Sequence, residues 1–567
     1  MNFRKAKQMM LAMGGLLVGI FFLSSFSDGE SKFFAISKNI EIMANLYRSV
    51  NNSYVDNIEP AQLMRIGIDS MLKSLDPYTN YITESQVENA RLQQNESNAD
   101  IGVELVKKGD YVFVQDVFED LAAYKAGIKA GDKIIAVNGY NALKRSVDDV
   151  KQILKGQPGS ELRLTIGRPD QADQSIAVVR DRTEPKSVPY FGMIDDKTGY
   201  VKLNIFSANC SGELKKAIET LKDEHKMQNL VFDLRHNGGG LLNEAINIVN
   251  LFVPKGQLVV STKGRTDEWN KEYKTNNEPL IPDMPVAVLV DERSASASEI
   301  VSGTLQDLDR GVIIGVRSFG KGLVQQTKPI GYNAQLKLTV AKYYTPSGRC
   351  VQAIDYYGTY KDGATSVPDS LRKQFKTHNG RPVWDGSGVE PDVLIEKEPL
   401  SNIAKSLQDS LLIFDFVTQY FYKNPTINPA KEFVFNDTDF ESFVAYLKDK
   451  KYNYPVKSEE TLKKLHELVE KEKYDDARAS LAALENKLTA EKNKDLYRHK
   501  EELKNIIRQE IAARYYYQKG RVEAGLSNDP NVKKALDLFA DPVAYNKLLN
   551  TGGSEGSSKN TKDKKKK

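Results

Sequence analysis

The sequence predicts a multidomain protein with an α/β core, a β-rich domain ahead of it and helical regions at both ends. Three observations carry this. The chain has 567 residues, too many for a single hydrophobic core. Between residues 185 and 398, strand-like apolar runs alternate with helical stretches, the pattern of an α/β layer structure. After residue 400, charge and helical spacing replace strands. Apolar content is ordinary and the formal net charge is only +4, so nothing points to nucleic acid as a partner.

At the start, Arg4, Lys5 and Lys7 precede an apolar run from Met9 to Phe26. At about 1.5 Å per residue, that run is just long enough to span a bilayer. The basic flank should stay in the cytoplasm, which exports everything after it. Ser25-Phe26-Ser27 offers a small-x-small cleavage pattern, so a cleaved signal and a retained inner-membrane anchor are both open. Either way the expected location is the periplasmic side of a bacterial envelope.

Residues 28–98 read as helical. Ile40, Met43, Ala44 and Tyr47 recur at helical spacing, as do Leu63, Ile66, Gly67 and Met71. Pro60 suits a helix start. Leu75-Asp76-Pro77-Tyr78-Thr79-Asn80-Tyr81 then breaks the helix, and a helical cap explains most of it. Residues 99–182 carry turn glycines at 127, 131 and 139, a strand at Ile134–Val137 and a helix from Ser146 to Leu154.

In the core, strands are expected at Gly199–Phe206, Leu230–Leu234, Pro285–Val290, Val312–Val316 and Gln335–Tyr344. Helices are expected at 211–225, 241–252 and 298–308. Val286–Val290 is a buried strand followed by Asp291-Glu292-Arg293-Ser294-Ala295-Ser296-Ala297-Ser298-Glu299 and a helix. A hydroxyl at a strand-to-helix turn is rigid and sits near helix-end N–H groups that stabilise an oxyanion. The same serines also suit plain helix capping. A second stretch, Ser318-Phe319-Gly320-Lys321-Gly322-Leu323-Val324-Gln325, sets a lysine between two glycines in apolar surroundings. A third, Asp233-Leu234-Arg235-His236-Asn237-Gly238-Gly239-Gly240, follows a buried strand and opens a helix. Glycines there let the backbone approach a substrate. No P-loop lysine and hydroxyl follow it, and no Gly-x-Ser-x-Gly surrounds any serine.

Together these stretches resemble the C-terminal processing (tail-specific) peptidases, peptidase family S41, which use a Ser–Lys dyad. The resemblance runs from about residue 35 to about residue 398. It implies a crotonase- and Clp-protease-like core, with Ser296 as nucleophile, Lys321 as general base and Gln325 orienting the lysine. It implies oxyanion donors at Ala297 N–H and Gly239 N–H. Glycine stands at 238, where the family usually has proline. The same resemblance makes 99–182 a PDZ domain whose carboxylate loop is Asp100-Ile101-Gly102-Val103, with Ile101, Gly102 and Val103 as the peptide-binding residues. There, backbone N–H groups receive a peptide's terminal carboxylate and the peptide adds as a strand. Asp100 replaces a family-typical glycine and puts a negative charge beside that site. Leu75-Asp76-Pro77, Tyr343–Arg349 and Gly388–Val393 match other family segments.

The expected division is 1–27 signal or anchor, 28–98 helical region, 99–182 PDZ domain, 183–398 peptidase core, 399–550 helical domain and 551–567 a disordered Lys-rich tail. The implied substrates are proteins or peptides with free apolar C-termini. The C-terminal helices carry no recognisable chemistry and are open to substrate access, oligomerisation or an adaptor. In them, Asp529-Pro530 and Asp541-Pro542 read as helix starts, and Leu481, Leu484 and Leu488 share a face. Cys210 and Cys350 lie in no metal-like pattern, and the five histidines show no ligand spacing, so no metal or cofactor is expected. His236 has nothing in the sequence that sets it against Ser296. Lys321 must be neutral to act as base. Half-deprotonation near neutral pH needs a shift of about 3 units, or roughly 4 kcal/mol, which burial can supply. Two rival readings stand beside the peptidase: a catalytically silent or partner-activated PDZ scaffold, and an acyl hydrolase acting on a small molecule.

Overall fold

The structure is a computed structural model that describes residues 32–88, 99–182, 186–356, 365–396, 399–450, 452, 454, 456–492 and 494–550. The apolar run Met9–Phe26 and the tail 551–567 lie outside the described residues. Among the described residues no helix is long and apolar enough to cross a membrane.

The core is a six-stranded sheet. From its edge the order is Tyr190–Met193, Thr198–Lys202, Asn229–Asp233, Val286–Val290, Val312–Gly315 and Val393–Leu394. All neighbours are parallel except the first pair. Every residue of Val286–Val290 is buried, because both faces of the sheet are covered. On one face lie the helices Cys210–Glu219, Leu242–Val249 and Ala297–Asp307, which pack against Phe232, Val288 and Val290. Cys210–Glu219 runs on into a π-turn at Thr220–Glu224.

The other face is covered from far away in the chain. Helices Pro530–Ala540 and Pro542–Asn550 set Val532, Leu538 and Tyr545 against Val231, Leu289 and Ile314. Both helices start as the Asp-Pro pairs predict. Asp529 accepts from Asn531 N–H and Val532 N–H, and Asp541 from Val543 N–H and Ala544 N–H. Tyr545 Oη donates to Val286 O and accepts from Val286 N–H, each at 2.9 Å. Burying one Val, Leu or Ile side chain is worth about 1.5–3 kcal/mol, so this seam is a substantial part of the core.

A second sheet stands apart from the first. The long hairpin Leu323–Gly331 and Ala334–Tyr344 is its centre, and Leu258–Gly264 and Lys271–Lys274 extend it. Its far edge is Asn80–Ile82, paired with Gln335–Lys337. The segment after helix Pro60–Lys73 therefore does more than cap that helix. Asp76 accepts from Tyr78 N–H and Thr79 N–H at 2.8 Å, and this turn delivers the chain onto the hairpin.

In residues 99–182, strands Val103–Lys108, Tyr111–Val117, Lys133–Val137, Glu161–Gly167 and Gln174–Val179 form an antiparallel sheet. Helix Val147–Leu154 closes one side and starts with a capping box between Ser146 and Asp149. This domain is held by the C-terminal helices. Arg521 bonds Asp116 at 2.8 and 3.0 Å, Lys108 pairs with Asp415, and Tyr422 Oη donates to Asp132. Tyr124 meets Tyr517 edge-on at 4.9 Å, at a kink in helix Lys500–Leu526 where Tyr517 takes φ +54°. In the C-terminal region, Leu481 packs with Leu462 and Val469 between helices Lys457–Glu472 and Asp475–Lys492. Both cysteines are free, Cys210 inside the core and Cys350 half-buried.

Candidate active site

The site forms where three turns meet at the carboxyl ends of the core strands. The first turn leads from Val286–Val290 into helix Ala297–Asp307. Ser296 sits at its corner with φ +56° and ψ −110°, a backbone that non-glycine residues rarely adopt. Its two serine neighbours are fully buried and committed. Ser294 Oγ donates to Leu234 O at 2.8 Å and accepts from Asp291 N–H. Ser298 Oγ donates to Asn237 O at 2.9 Å. Both tie this turn to the glycine loop after Asp233. Only Ser296 remains partly exposed.

The glycine loop is the second turn. Gly239 takes φ +99°, and a Cβ there would lie 2.7 Å from Ala295 O and 3.0 Å from Ala297 N. Only glycine fits against the Ser296 turn so closely. Its N–H, expected as an oxyanion donor, donates instead to Asn237 Oδ1 at 2.9 Å. The side chain of Asn237 is buried and anchored by Leu203 O, so it holds that N–H inside the loop. Ala297 N–H, the other expected donor, has no protein acceptor among the described residues. At the base of the loop, Asp233 is fully buried and receives Tyr200 Oη at 2.5 Å and Arg235 Nη2 at 2.7 Å. These charges hold its carboxyl well below the usual range, against the effect of burial. Arg235 also reaches Asp529 of the C-terminal helices at 2.7 Å. His236 pairs with Asp291 at 3.0 Å.

The third turn carries Lys321, and one carboxylate joins it to the first. Glu299 is fully buried. Its Oε1 accepts from Ser318 Oγ and Gly320 N–H, both at 2.6 Å. Its Oε2 accepts from Lys321 N–H at 2.9 Å and Ser296 N–H at 2.8 Å. Burial pushes this carboxyl up, and the four donated bonds pull it back. Tyr343 Oη donates to Lys321 O at 2.6 Å and lies 3.1 Å from Ser296 O, a second link between the turns.

The backbones of Ser296 and Lys321 are thus fastened together, but no hydrogen bond joins the Ser296 hydroxyl to the lysine amine. The amine lies over the ring of Tyr78, 4.4 Å from its centroid. Burial pushes the amine below the ordinary lysine value, Lys337 adds to this, and Glu299 and Asp76 oppose it. Gln325, expected to orient the lysine, lies on strand Leu323–Gly331 beyond a bulge, and its amide donates to Thr339 Oγ1 at 3.3 Å. Thr339 is bonded in turn to Thr79 of the Asp76 turn. The contacts of Glu299, Tyr78 and Tyr343 have no local signature in the sequence.

Residues 197–362 match the model of peptidase family S41. Residues 90–167 match that of the PDZ domain, and residues 403–539 that of a probable PDZ-protease C-terminal helical domain. A carboxy-terminal-processing protease of Bartonella bacilliformis is 34% identical over 321 residues, covering 56% of this chain and 73% of that protein. A probable CtpA-like serine protease of Staphylococcus aureus is 35% identical over 319 residues, 55% of this chain and 62% of that protein. Among solved structures, a photosystem II D1 C-terminal processing protease aligns at 24% identity and a TM-score of 0.35, over 65% of this chain and 96% of that one. With a relative matched at this identity over nearly three quarters of its length, the chain belongs to peptidase family S41, among its PDZ-bearing C-terminal-processing serine peptidases.

Proposed function

We propose that this peptidase captures exported proteins by their free apolar C-termini in the PDZ groove and cleaves them with Ser296 as nucleophile and Lys321 as general base. One observation carries the assignment. Of three serines in the turn, two are buried and fully committed, and Ser296 alone is partly exposed, beside an unengaged Ala297 N–H.

On this reading neutral Lys321 turns from Tyr78 and takes the Ser296 hydroxyl proton. The oxygen attacks the scissile carbonyl, and the tetrahedral oxyanion meets Ala297 N–H. Collapse breaks the C–N bond, and the lysine returns its proton to the leaving amine. Water then enters, gives a proton to Lys321 and attacks the acyl carbonyl; the bond from that carbon to Ser296 Oγ breaks, and Lys321 returns the proton to the serine oxygen. A donor from Gly239 requires its N–H to leave Asn237, so the glycine loop also moves. Gln325 acts through the Thr339–Thr79 contacts that place the hairpin. The basic start and Met9–Phe26 support export to the periplasmic side, as a soluble or anchored form.

The test is incubation of the protein, beside Ser296→Ala and Lys321→Ala, with an unfolded protein ending in apolar residues, read by mass spectrometry. Cleavage by the parent alone supports the dyad. Cleavage that survives Lys321→Ala sinks the lysine as base. The rival reading of a partner-activated scaffold is favoured by one feature, the lysine held over Tyr78 and away from the serine hydroxyl. It predicts binding without cleavage until a partner is added.

A further inference from the structure

We propose that Asp100 is a resident competitor for the PDZ carboxylate site and thereby sets which C-termini the peptidase accepts. This rests on the reading above, that the groove takes free C-termini. The carboxylate loop needs outward-facing backbone N–H groups at Ile101, Gly102 and Val103. Val103 lies opposite Val117, and Phe118 N–H donates to Gly102 O. That register makes Val103 a non-hydrogen-bonded position, with its N–H directed away from the neighbouring strand and toward the groove. Gly102 turns the chain there with φ +78°.

Ile101 N–H is not vacant. Asp100 Oδ1 accepts it at 2.6 Å. An aspartate carboxylate on that donor has the same charge and oxygen geometry as the end of a peptide chain. The nearby cation does not neutralise it directly. Arg180 is buried and spends its guanidinium on Leu154 O at 2.7 Å, Ser160 Oγ at 3.0 Å and Ile153 O at 3.1 Å, capping the groove helix. Lys151 pairs with Glu104 across the groove at 3.6 Å. An entering carboxylate must displace Asp100 and then lie beside its negative charge.

The compensation comes from apolar burial. Ile101, Val103, Val150 and Leu154 are all buried in the domain's hydrophobic core, so a last side chain finds apolar partners only by opening the seam between the loop and helix Val147–Leu154. A C-terminus with a large apolar last side chain can offset the displacement, and one ending in a small or polar residue cannot. The domain therefore selects by raising the threshold for every terminus, which rejects the weak ones.

The experiment uses the full chain carrying Ser296→Ala, so that bound peptide is not consumed. A fluorescein-labelled ten-residue peptide ending in leucine is titrated as free acid and as C-terminal amide, read by anisotropy. The parent should favour the acid by no more than a few-fold. Adding Asp100→Ala should tighten the acid by about tenfold, the scale of one charge-assisted hydrogen bond, and leave the amide within about twofold. Asp100→Asn removes the charge but keeps an acceptor, so it should fall between them; far-UV circular dichroism checks that each variant is folded. A parent that prefers the acid, with no gain from Asp100→Ala, overturns the competitor role alone. Equal binding of acid and amide by all three proteins overturns the C-terminus reading and this proposal with it.

Discussion

Replacing Tyr78 by leucine should move the pH dependence of catalysis to lower pH. The Lys321 amine lies 4.4 Å from the Tyr78 ring centroid, well inside cation–π range. That contact favours the protonated amine. At a half-buried site it is worth about 1 kcal/mol. Since 1.36 kcal/mol corresponds to one pKa unit, losing the ring lowers the lysine by about 0.7 unit. Leucine keeps the apolar cover, so the burial that already depresses the amine is retained. The sign follows from the role: a base works when deprotonated, so kcat/KM rises with pH and levels off above the lysine pKa. In Tyr78→Leu the rising limb shifts down, and well below the midpoint the rate should be about fivefold higher than in the parent, the ratio of neutral fractions. The assay is kcat/KM for a fluorogenic peptide from pH 5 to 10 in both proteins. An unchanged midpoint, or one that moves up, would refute the view that Tyr78 holds the base in its charged form.

Other perturbations test the links between turns. Glu299→Gln leaves two of four donors without an acceptor, at about 1.5–3 kcal/mol each, and should cut kcat by roughly 100-fold or more and slow labelling of Ser296 by a fluorophosphonate. Labelling at the parent rate would show that the turns hold their places without that carboxylate. Gly239→Ala places a Cβ 2.7 Å from Ala295 O at φ +99° and should lower kcat at least tenfold with KM nearly unchanged, by steady-state kinetics. Ser294→Ala leaves Asp291 N–H without its acceptor, although Leu234 O keeps Asn237 N–H, whereas in Ser298→Ala the Asn237 carbonyl keeps Ala295 N–H. Chemical denaturation should therefore show the larger loss for Ser294→Ala, about 1–3 kcal/mol. Peptide mapping should find the probe on Ser296 in both.

The alternation of strands and helices was legible because each element carries its own period. Val286–Val290 reads as a fully buried strand, and the turn after it as a nucleophile's place, from adjacent residues alone. What covers the second face of that strand was not legible, since Tyr545 lies 259 residues from Val286. The same holds within the site. Ser296, Lys321 and Gly239 stand in recognisable local patterns. Glu299 works through donors up to 22 residues away, and Tyr78 reaches the lysine from the other side of the PDZ domain. Gln325 was named by the family pattern alone, and its bond to Thr339 depends on a strand pairing that no local spacing gives. The strand carries a bulge at that point. Asp100 was visible as a departure from a glycine, but its hydrogen bond required the turn geometry.

The grip of the C-terminal helices on both neighbours has a consequence for how cuts are positioned. Arg521 binds Asp116 across 405 residues of sequence, and the last helices of the same region complete the peptidase sheet. The PDZ domain and the Ser296 turn are thus two marks on one frame, and the span between them does not depend on a loose tether. If the groove holds the end of a substrate, such a frame measures length. First cuts would fall at a set distance from that end, whatever residues lie there, and a chain shorter than the span would be held without being cut.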